Sequence, residues 1–428
     1  MTGSHWVPTL ARYRRIVAAP AAFTALTALY VVLNIWLVAP DLGPGLSDFT
    51  YYHLASRAVL GGQSPYTLPN HINPPLLSFL MLPFALLPYQ VARWAWFAIS
   101  HLLIVVAAVW TSRALGADRT AALSVAAVWA CAGSVAINLR SGQINPLLLL
   151  LLCMAIWPAQ RGGWTRPVAI GVAAALKLFP GIVAIGDGLA GRLRGFLRST
   201  VAVAGCLAIP TGAVALLLSG PVWPTRAGFW AGTPGVLNCS VPGFVLRLLD
   251  PPTTGQRLPT NWLAGHNTEM MRLPAEHAAI SVAVSAVLLL VGVTMVWLVL
   301  RRSSPDVSLA GLEWTLVALA LAAAPVAWEH YQILLLPGVA RLACGLSRRR
   351  AWVEMAVLAL AFVAVNWLDP LARGVYLRHY GRMAGPAAIV WPLVGMAPAG
   401  SVALFVLHLR HIEWPLAFGR RNLASAPP

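Results

Sequence analysis

Acidic residues are scarce in this chain, thirteen in 428, and an ionisable group set among apolar residues is a functional candidate by default. Asp48 stands in the run Gly45-Leu46-Ser47-Asp48-Phe49-Thr50-Tyr51-Tyr52, ahead of Arg57 and of the turn-forming stretches Gly61-Gly62-Gln63-Ser64-Pro65-Tyr66 and Asn73-Pro74-Pro75. It can cap a short amphipathic helix running through Arg57. A capping carboxylate at the mouth of a cavity is also placed to take a proton from a hydroxyl. The single lysine, Lys177, lies in Ala175-Leu176-Lys177-Leu178-Phe179-Pro180. There it either snorkels to a polar boundary or binds an anionic phosphate. Glu329 and His330 sit in Pro325-Val326-Ala327-Trp328-Glu329-His330-Tyr331. Adjacent positions on a helix cannot both turn to one metal, and no H-x-x-x-H spacing exists, so no metal site is expected. Two polar turns complete the set. One is Arg140-Ser141-Gly142-Gln143-Ile144-Asn145-Pro146, with its proline just inside a helix start. The other is Asn238-Cys239-Ser240-Val241-Pro242-Gly243, followed by Arg247.

The elements that must hold these residues follow from composition. Hydrophobic residues make up 59% of the chain and charged residues 10%, and the mean hydropathy is +0.73. A soluble domain carries about 25% charged residues, so this chain is an integral membrane protein. The net charge of +17 does not point to nucleic acid. Its arginines fall in short clusters between apolar runs, as in residues 12–15, 113–119, 161–166, 192–198, 301–302, 348–350 and 410–421. That is the positive-inside pattern. The basic residues at 12–15 precede an apolar run over 18–39, too long for a cleavable signal. A first retained span with a cytoplasmic N-terminus is expected. The five cysteines show no metal-ligand spacing and read as small apolar residues.

Placing every arginine cluster on the cytoplasmic side threads the chain. Crossings are expected over 91–110, 120–137, 144–157, 200–218, 279–300, 312–327, 333–346, 352–367 and 387–408. The proline-punctuated segment 76–87 breaks the charge parity as a full crossing and reads as interfacial or re-entrant. Residues 166–192 run from one basic cluster to the next with Pro180 between. Two half-length helices entering and leaving satisfy the parity. Broken helices occur only where they line a protein cavity, so a site is expected here. The whole is one all-α, polytopic domain over residues 1–428, with roughly ten to twelve membrane segments and external loops at about 40–90 and 219–278.

In order and spacing these motifs resemble glycosyltransferase family 87, the polyprenyl-phosphate-mannose-dependent α-1,2-mannosyltransferases of actinobacterial envelopes, a branch of the GT-C superfamily. The resemblance rests on Asp48 in a D-x-x-x-Y frame with Tyr52, Gly142-Gln143-Ile144-Asn145, Leu176-Lys177-Leu178-Phe179-Pro180, Asn238-Cys239-Ser240 and Pro325 to Tyr331. The family commonly has Asn-Gln-Ser where Cys239 stands and Tyr-Pro-Pro where Asn73 stands; both departures bear on the acceptor. The resemblance implies a GT-C-like bundle in the plasma membrane with its active site outside. The donor would be a lipid-linked sugar and the acceptor a glycolipid or lipoglycan, with no further cofactor. It implies Asp48 as general base and His330 as essential. Lys177, Arg140 and Arg57 are candidates for the donor phosphate. Glu329, Gln143, Asn145, Asn238, Ser240, Arg247 and Tyr52 are candidates for acceptor contact or support. A flippase for a lipid-linked sugar competes from another class, and arabinose competes with mannose as the sugar.

Overall fold

The computed structural model describes residues 21–39, 48–68, 71–116, 118–157, 163–224, 238–249, 275–302, 309–367 and 387–413. These are helical, with two isolated bridges, Gln63 with Ser219 and Asn238 with Trp328. Among the described residues, three helices are long and apolar enough to cross a membrane. They are α5 (Tyr89–Ala114), α11 (Leu193–Leu217) and α13 (Ala275–Arg302). The expected single crossing over 120–137 is instead two helices, α6 (Arg119–Ala130) and α7 (Gly133–Ser141), bent by 54°. Taken together they make a fourth candidate span. Several shorter apolar helices fill the bundle between these. They include α1 (Ala21–Trp36), α8 (Asn145–Ile156), α9 (Thr165–Leu176), α14 (Leu309–Ala323) and α16 (Trp352–Asn366).

The remaining helices complete the order of elements. α2 (Asp48–Leu60), α3 (Pro75–Leu80) and α4 (Leu82–Ala85) lie between α1 and α5. The last two total ten residues and are broken at Met81. α12 (Val241–Leu249) precedes α13; α15 (Leu336–Arg349) and α17 (Ala387–Arg410) complete the chain.

The stretch between Arg166 and Arg192 is a closed helical hairpin. α9 ends at Leu176, Lys177 takes extended backbone (φ −150°, ψ 130°), and the chain returns through a 3-10 turn, Phe179–Ile182, into α10 (Val183–Leu189). Pro180 enforces the break, because a helix continuing past it would drive its ring into the carbonyl of Leu176. A β-carbon on Gly181 would lie 3.5 Å from Ala174, and Arg166 in the first turn of α9 pairs with Asp187 near the end of α10. Tip and base are thus both closed. Twelve residues of α9 rise only about 18 Å, short of a hydrocarbon core of roughly 30 Å.

Interior contacts sort the bundle into two ends. At one, Trp96 Nε1 donates to the Gly142 carbonyl at 3.0 Å and Lys177 meets Asn145 at 2.9 Å. At the other, Thr111 meets Cys153 at 3.6 Å and Trp157 packs on Trp314 at 5.9 Å. Arg348 caps this second end through Asp118. There, burial raises the pKa of the Asp118 carboxyl, but the Ala121 N–H and Arg348 outweigh it and hold it below its ordinary value. Every residue of α14 is buried, so this helix is the central strut between the ends.

Close packing of short helices demands small residues at crossings. A β-carbon on Gly171 would sit 2.7 Å from the Ala202 backbone, whereas one on Gly205 would meet nothing within 4 Å. Gly171→Ala therefore forces α9 and α11 apart and costs about 1–3 kcal/mol by overpacking. Gly205→Ala gains up to about 1 kcal/mol of helix propensity. Thermal unfolding of the detergent-solubilised protein should move down for the first and not for the second.

Candidate active site

Lys177 is the centre of the polar end. Its side chain is only 7% exposed, and a buried ammonium is tolerated only when paired or hydrogen-bonded. Nζ donates to Asn145 Oδ1 at 2.9 Å and to Gln143 Oε1 at 3.3 Å. It also lies 4.0 Å from the centroid of the Tyr331 ring, a cation–π contact strengthened by desolvation. Phe179 stacks on the same ring, with centroids 5.5 Å apart. The lysine does not snorkel away: it points into the bundle and organises it.

The two amides that receive Lys177 pass the constraint outward. Gln143 Oε1 also accepts from the Tyr52 hydroxyl at 3.0 Å, tying the lysine to α2. Asn145 Nδ2 donates to Asn138 Oδ1 at 2.9 Å and to the His330 carbonyl at 3.1 Å. Asn138 Nδ2 donates to the same His330 carbonyl at 2.6 Å and to Ser134 O at 2.6 Å. The backbone at His330 is thereby pinned by two buried asparagines, and its imidazole packs edge-on to Tyr331 at 4.7 Å.

Asp48 opens α2 and is half-buried. One turn along the same helix, Tyr52 bonds the Gln143 that receives Lys177, so α2 sets the acid at the same end of the bundle as the cation. This helix is fixed next to the lysine by a second layer of contacts. Thr50 bonds Tyr89 OH at 2.7 Å, and Arg93 donates to Tyr89 OH and to the Arg140 carbonyl, both at 2.9 Å. Gly142 makes the junction possible. It ends α7 in the left-handed region (φ 64°), where side chains are disfavoured. A β-carbon there would also lie 2.6 Å from that of Phe49.

The turn at 238–243 serves the same region from outside. Asn238 Oδ1 accepts from Ala327 N at 2.9 Å and Ser240 Oγ at 2.8 Å, while its Nδ2 donates to Pro325 O at 2.8 Å. Cys239 N donates to Ala327 O at 2.7 Å. These bonds hold the loop that delivers Glu329, itself buried, and His330. Asn238 and Ser240 therefore position the loop. Arg57 is exposed at the far end of α2, nine residues and about 13 Å from Asp48, and the fold does not bring it to Lys177. The exposed Arg140 contributes its carbonyl to Arg93. The side chain of Arg247 lies outside the described residues.

Two participants carry no signal of their own in the sequence. Asn138 lies on α7 among apolar residues, seven before Asn145, and only the α7–α8 turn shows them to be partners. Arg93 lies within the apolar run 91–110. The segment around Tyr66 and His71 forms a separate buried patch: Tyr66 OH donates to the Asn73 carbonyl at 3.0 Å, and His71 bonds Ser78 at 3.0 Å. Burial pushes the His71 imidazole down to about 4, which keeps it neutral at physiological pH, and raises the pKa of the Tyr66 phenol.

Because Asn138 holds the His330 carbonyl without touching Lys177, Asn138→Leu should leave the helices assembled and displace the 329–331 turn. A displacement near 1 Å costs about 10²-fold in rate. Catalytic turnover of the purified variant, beside its melting temperature, reads both effects.

The geometry just described coincides with a match to a known family. The model of glycosyltransferase family 87 matches residues 71–325, more than half of the chain. The match includes Gln143, Asn145, Lys177 and Asn238; the fold adds Asp48 and His330, from just outside it, to the same cluster. No curated protein matches the chain in sequence. A membrane-helix bundle with this polar cluster, together with that match, places the chain as a membrane glycosyltransferase that belongs to glycosyltransferase family 87.

Proposed function

We propose that the protein moves mannose from polyprenyl-phosphate-mannose to a glycolipid or lipoglycan acceptor at the outer face of the plasma membrane, with inversion at the anomeric carbon. The observation that carries the reading is the placement of a carboxylate, Asp48, at the start of the helix whose Tyr52 bonds Gln143, one of the two amides that hold the chain's single lysine. One displacement needs both. As the acceptor oxygen bonds to the anomeric carbon, its proton passes to Asp48. The bond from that carbon to the phosphate oxygen breaks, and its electron pair leaves a second negative charge on the lipid phosphate. Lys177, held by Gln143 and Asn145, is preorganised to receive that charge. No carboxylic acid is needed on the leaving side, because phosphate leaves readily, in contrast to glycoside hydrolysis.

The reading includes a metal-independent reaction and a polytopic topology of ten to twelve segments, with the N-terminus cytoplasmic and the Lys177 end external. The basic residues gathered at the opposite end, Arg166 and Arg348 among them, support this orientation through the positive-inside rule. The hairpin at 165–189 fits a re-entrant element that brings a cation to a lipid headgroup. A flippase for a lipid-linked sugar would also use broken helices, but it has no need of a base beside the lysine.

Mannose transfer by the purified protein from synthetic polyprenyl-phosphate-mannose to a panel of glycolipids tests the reading. Asp48→Asn should lose about 10²–10⁴-fold of the rate with donor binding kept, and Lys177→Met about 10²–10³-fold. Chelation with EDTA should leave the wild-type rate unchanged. Wild-type protein that transfers from no donor but moves the lipid across vesicles would make it a flippase. Transfer from a polyprenyl-phosphate-arabinose alone would change the sugar and keep the site.

A further inference from the structure

At the end of the bundle opposite Lys177, three charged groups meet in the interior. Arg166 in the first turn of α9 gives one guanidinium nitrogen to Asp187 on α10 and another to Glu313 on α14. The side chains of the two acids are 3% and 0% exposed. Glycines clear the way for both: a β-carbon on Gly195 would lie 2.9 Å from the Asp187 carboxyl carbon, and one on Gly186 would lie 3.1 Å from Glu313. The Arg192 N–H reinforces the corner, donating to the Asp187 carbonyl at 2.7 Å. A buried ion cluster of this kind is weak evidence for stability, because its desolvation offsets most of its attraction. Its place in the fold gives it another use.

Arg166 and Asp187 are the base of the hairpin whose tip is Lys177, and Glu313 belongs to the buried strut α14. The same strut runs at its other end into residues 325–330, the loop whose His330 carbonyl is held by Asn138 and Asn145. Asn145 is also the nearer hydrogen-bond partner of Lys177. Hairpin and strut are thus joined twice, at the ion cluster and at the site. Sliding the hairpin along α14 would break the first junction and misplace Lys177 at the second.

We infer that the Arg166–Asp187–Glu313 clasp is a positioning device for the reaction: it sets the depth of the re-entrant hairpin, and so where the Lys177 ammonium stands relative to Asp48 and the donor phosphate. Arg166, Asp187 and Glu313 are positioning residues that touch no substrate and act through the hairpin. The kinetic part of this inference rests on Lys177 being the phosphate's cation; the geometric part does not.

The experiment uses the full-length protein in lipid nanodiscs. The variant Arg166→Met/Asp187→Asn/Glu313→Gln removes all three charges together and leaves no unpaired ion behind. Its melting temperature is measured beside two site readouts. The first is the rate at which an amine-reactive reagent labels Lys177, resolved by mass spectrometry from the amino terminus, the chain's one other amine. The second is the KM for donor against the KM for acceptor. The clasp predicts labelling at least about fivefold faster and a donor KM raised by about tenfold or more, a displacement effect, with the acceptor KM unchanged. Asp187→Asn alone, which leaves Arg166 and Glu313 as a balanced pair, should move both readouts the same way by less, and it carries the test if the triple variant does not fold. Wild-type labelling and donor KM in a folded variant would overturn the inference, whatever the melting temperature does. Faster labelling in a protein that transfers no sugar from any donor would instead keep the clasp and sink the functional reading.

Discussion

A buried ammonium must be answered by its surroundings, and Lys177 is the group on which the rest of this structure depends. Left unpaired among apolar helices it would cost several kcal/mol. Its hydrogen bonds to Gln143 and Asn145 and its place over Tyr331 draw together three parts of the chain far apart in sequence. The α7–α8 turn supplies the amides, the hairpin supplies the lysine, and the 3-10 turn Glu329–Leu335 supplies the ring. Asp48 adds the fourth part, and the opposite charge.

The helices break around the polar cluster that Lys177 centres. Gly142 ends α7, Lys177 ends α9, and the chain between α14 and α15 leaves α-helical geometry over the loop that carries Glu329 and His330. Each break frees backbone groups that must find partners in an apolar setting. At the His330 carbonyl these partners are the buried side chains of Asn138 and Asn145, and at the Ala327 N–H the side chain of Asn238. The polar residues that satisfy the broken backbone thus also build the site. One amide, Asn145, serves a carbonyl and the lysine at once. This economy explains how so few polar residues suffice in a chain that is 59% hydrophobic.

Much of this organisation was legible in the sequence, and the reasons are physical. The basic clusters flanking 166–192 suggested two half-length helices and Pro180 located the break; the chain does turn back there, in a hairpin closed by Arg166 and Asp187. Within the expected interfacial segment 76–87, the prolines marked where the chain forms two short helices instead of one long one. The only mark of the bend between α6 and α7 was the pair Gly133-Ser134 at the start of α7, which the apolar length of 120–137 outweighed. Arg57 drew notice as a cation near Asp48, yet helix geometry carries it to the far end of α2. Asn138, Arg93 and the Arg166–Asp187–Glu313 cluster escaped because their roles are pairings across the bundle, set by helix packing rather than by spacing along the chain.

The most direct test of the account is where the donor's phosphate binds. A cryo-electron microscopy structure of the protein with a non-transferable polyprenyl-phosphonate analogue of the donor would show it. The account predicts the phosphonate within hydrogen-bonding distance of Lys177 Nζ, with the sugar's anomeric carbon between it and Asp48. A phosphonate bound at the opposite end of the bundle, near Arg166 or Arg348, or one that leaves Lys177 on Gln143 and Asn145 without contact, would contradict it.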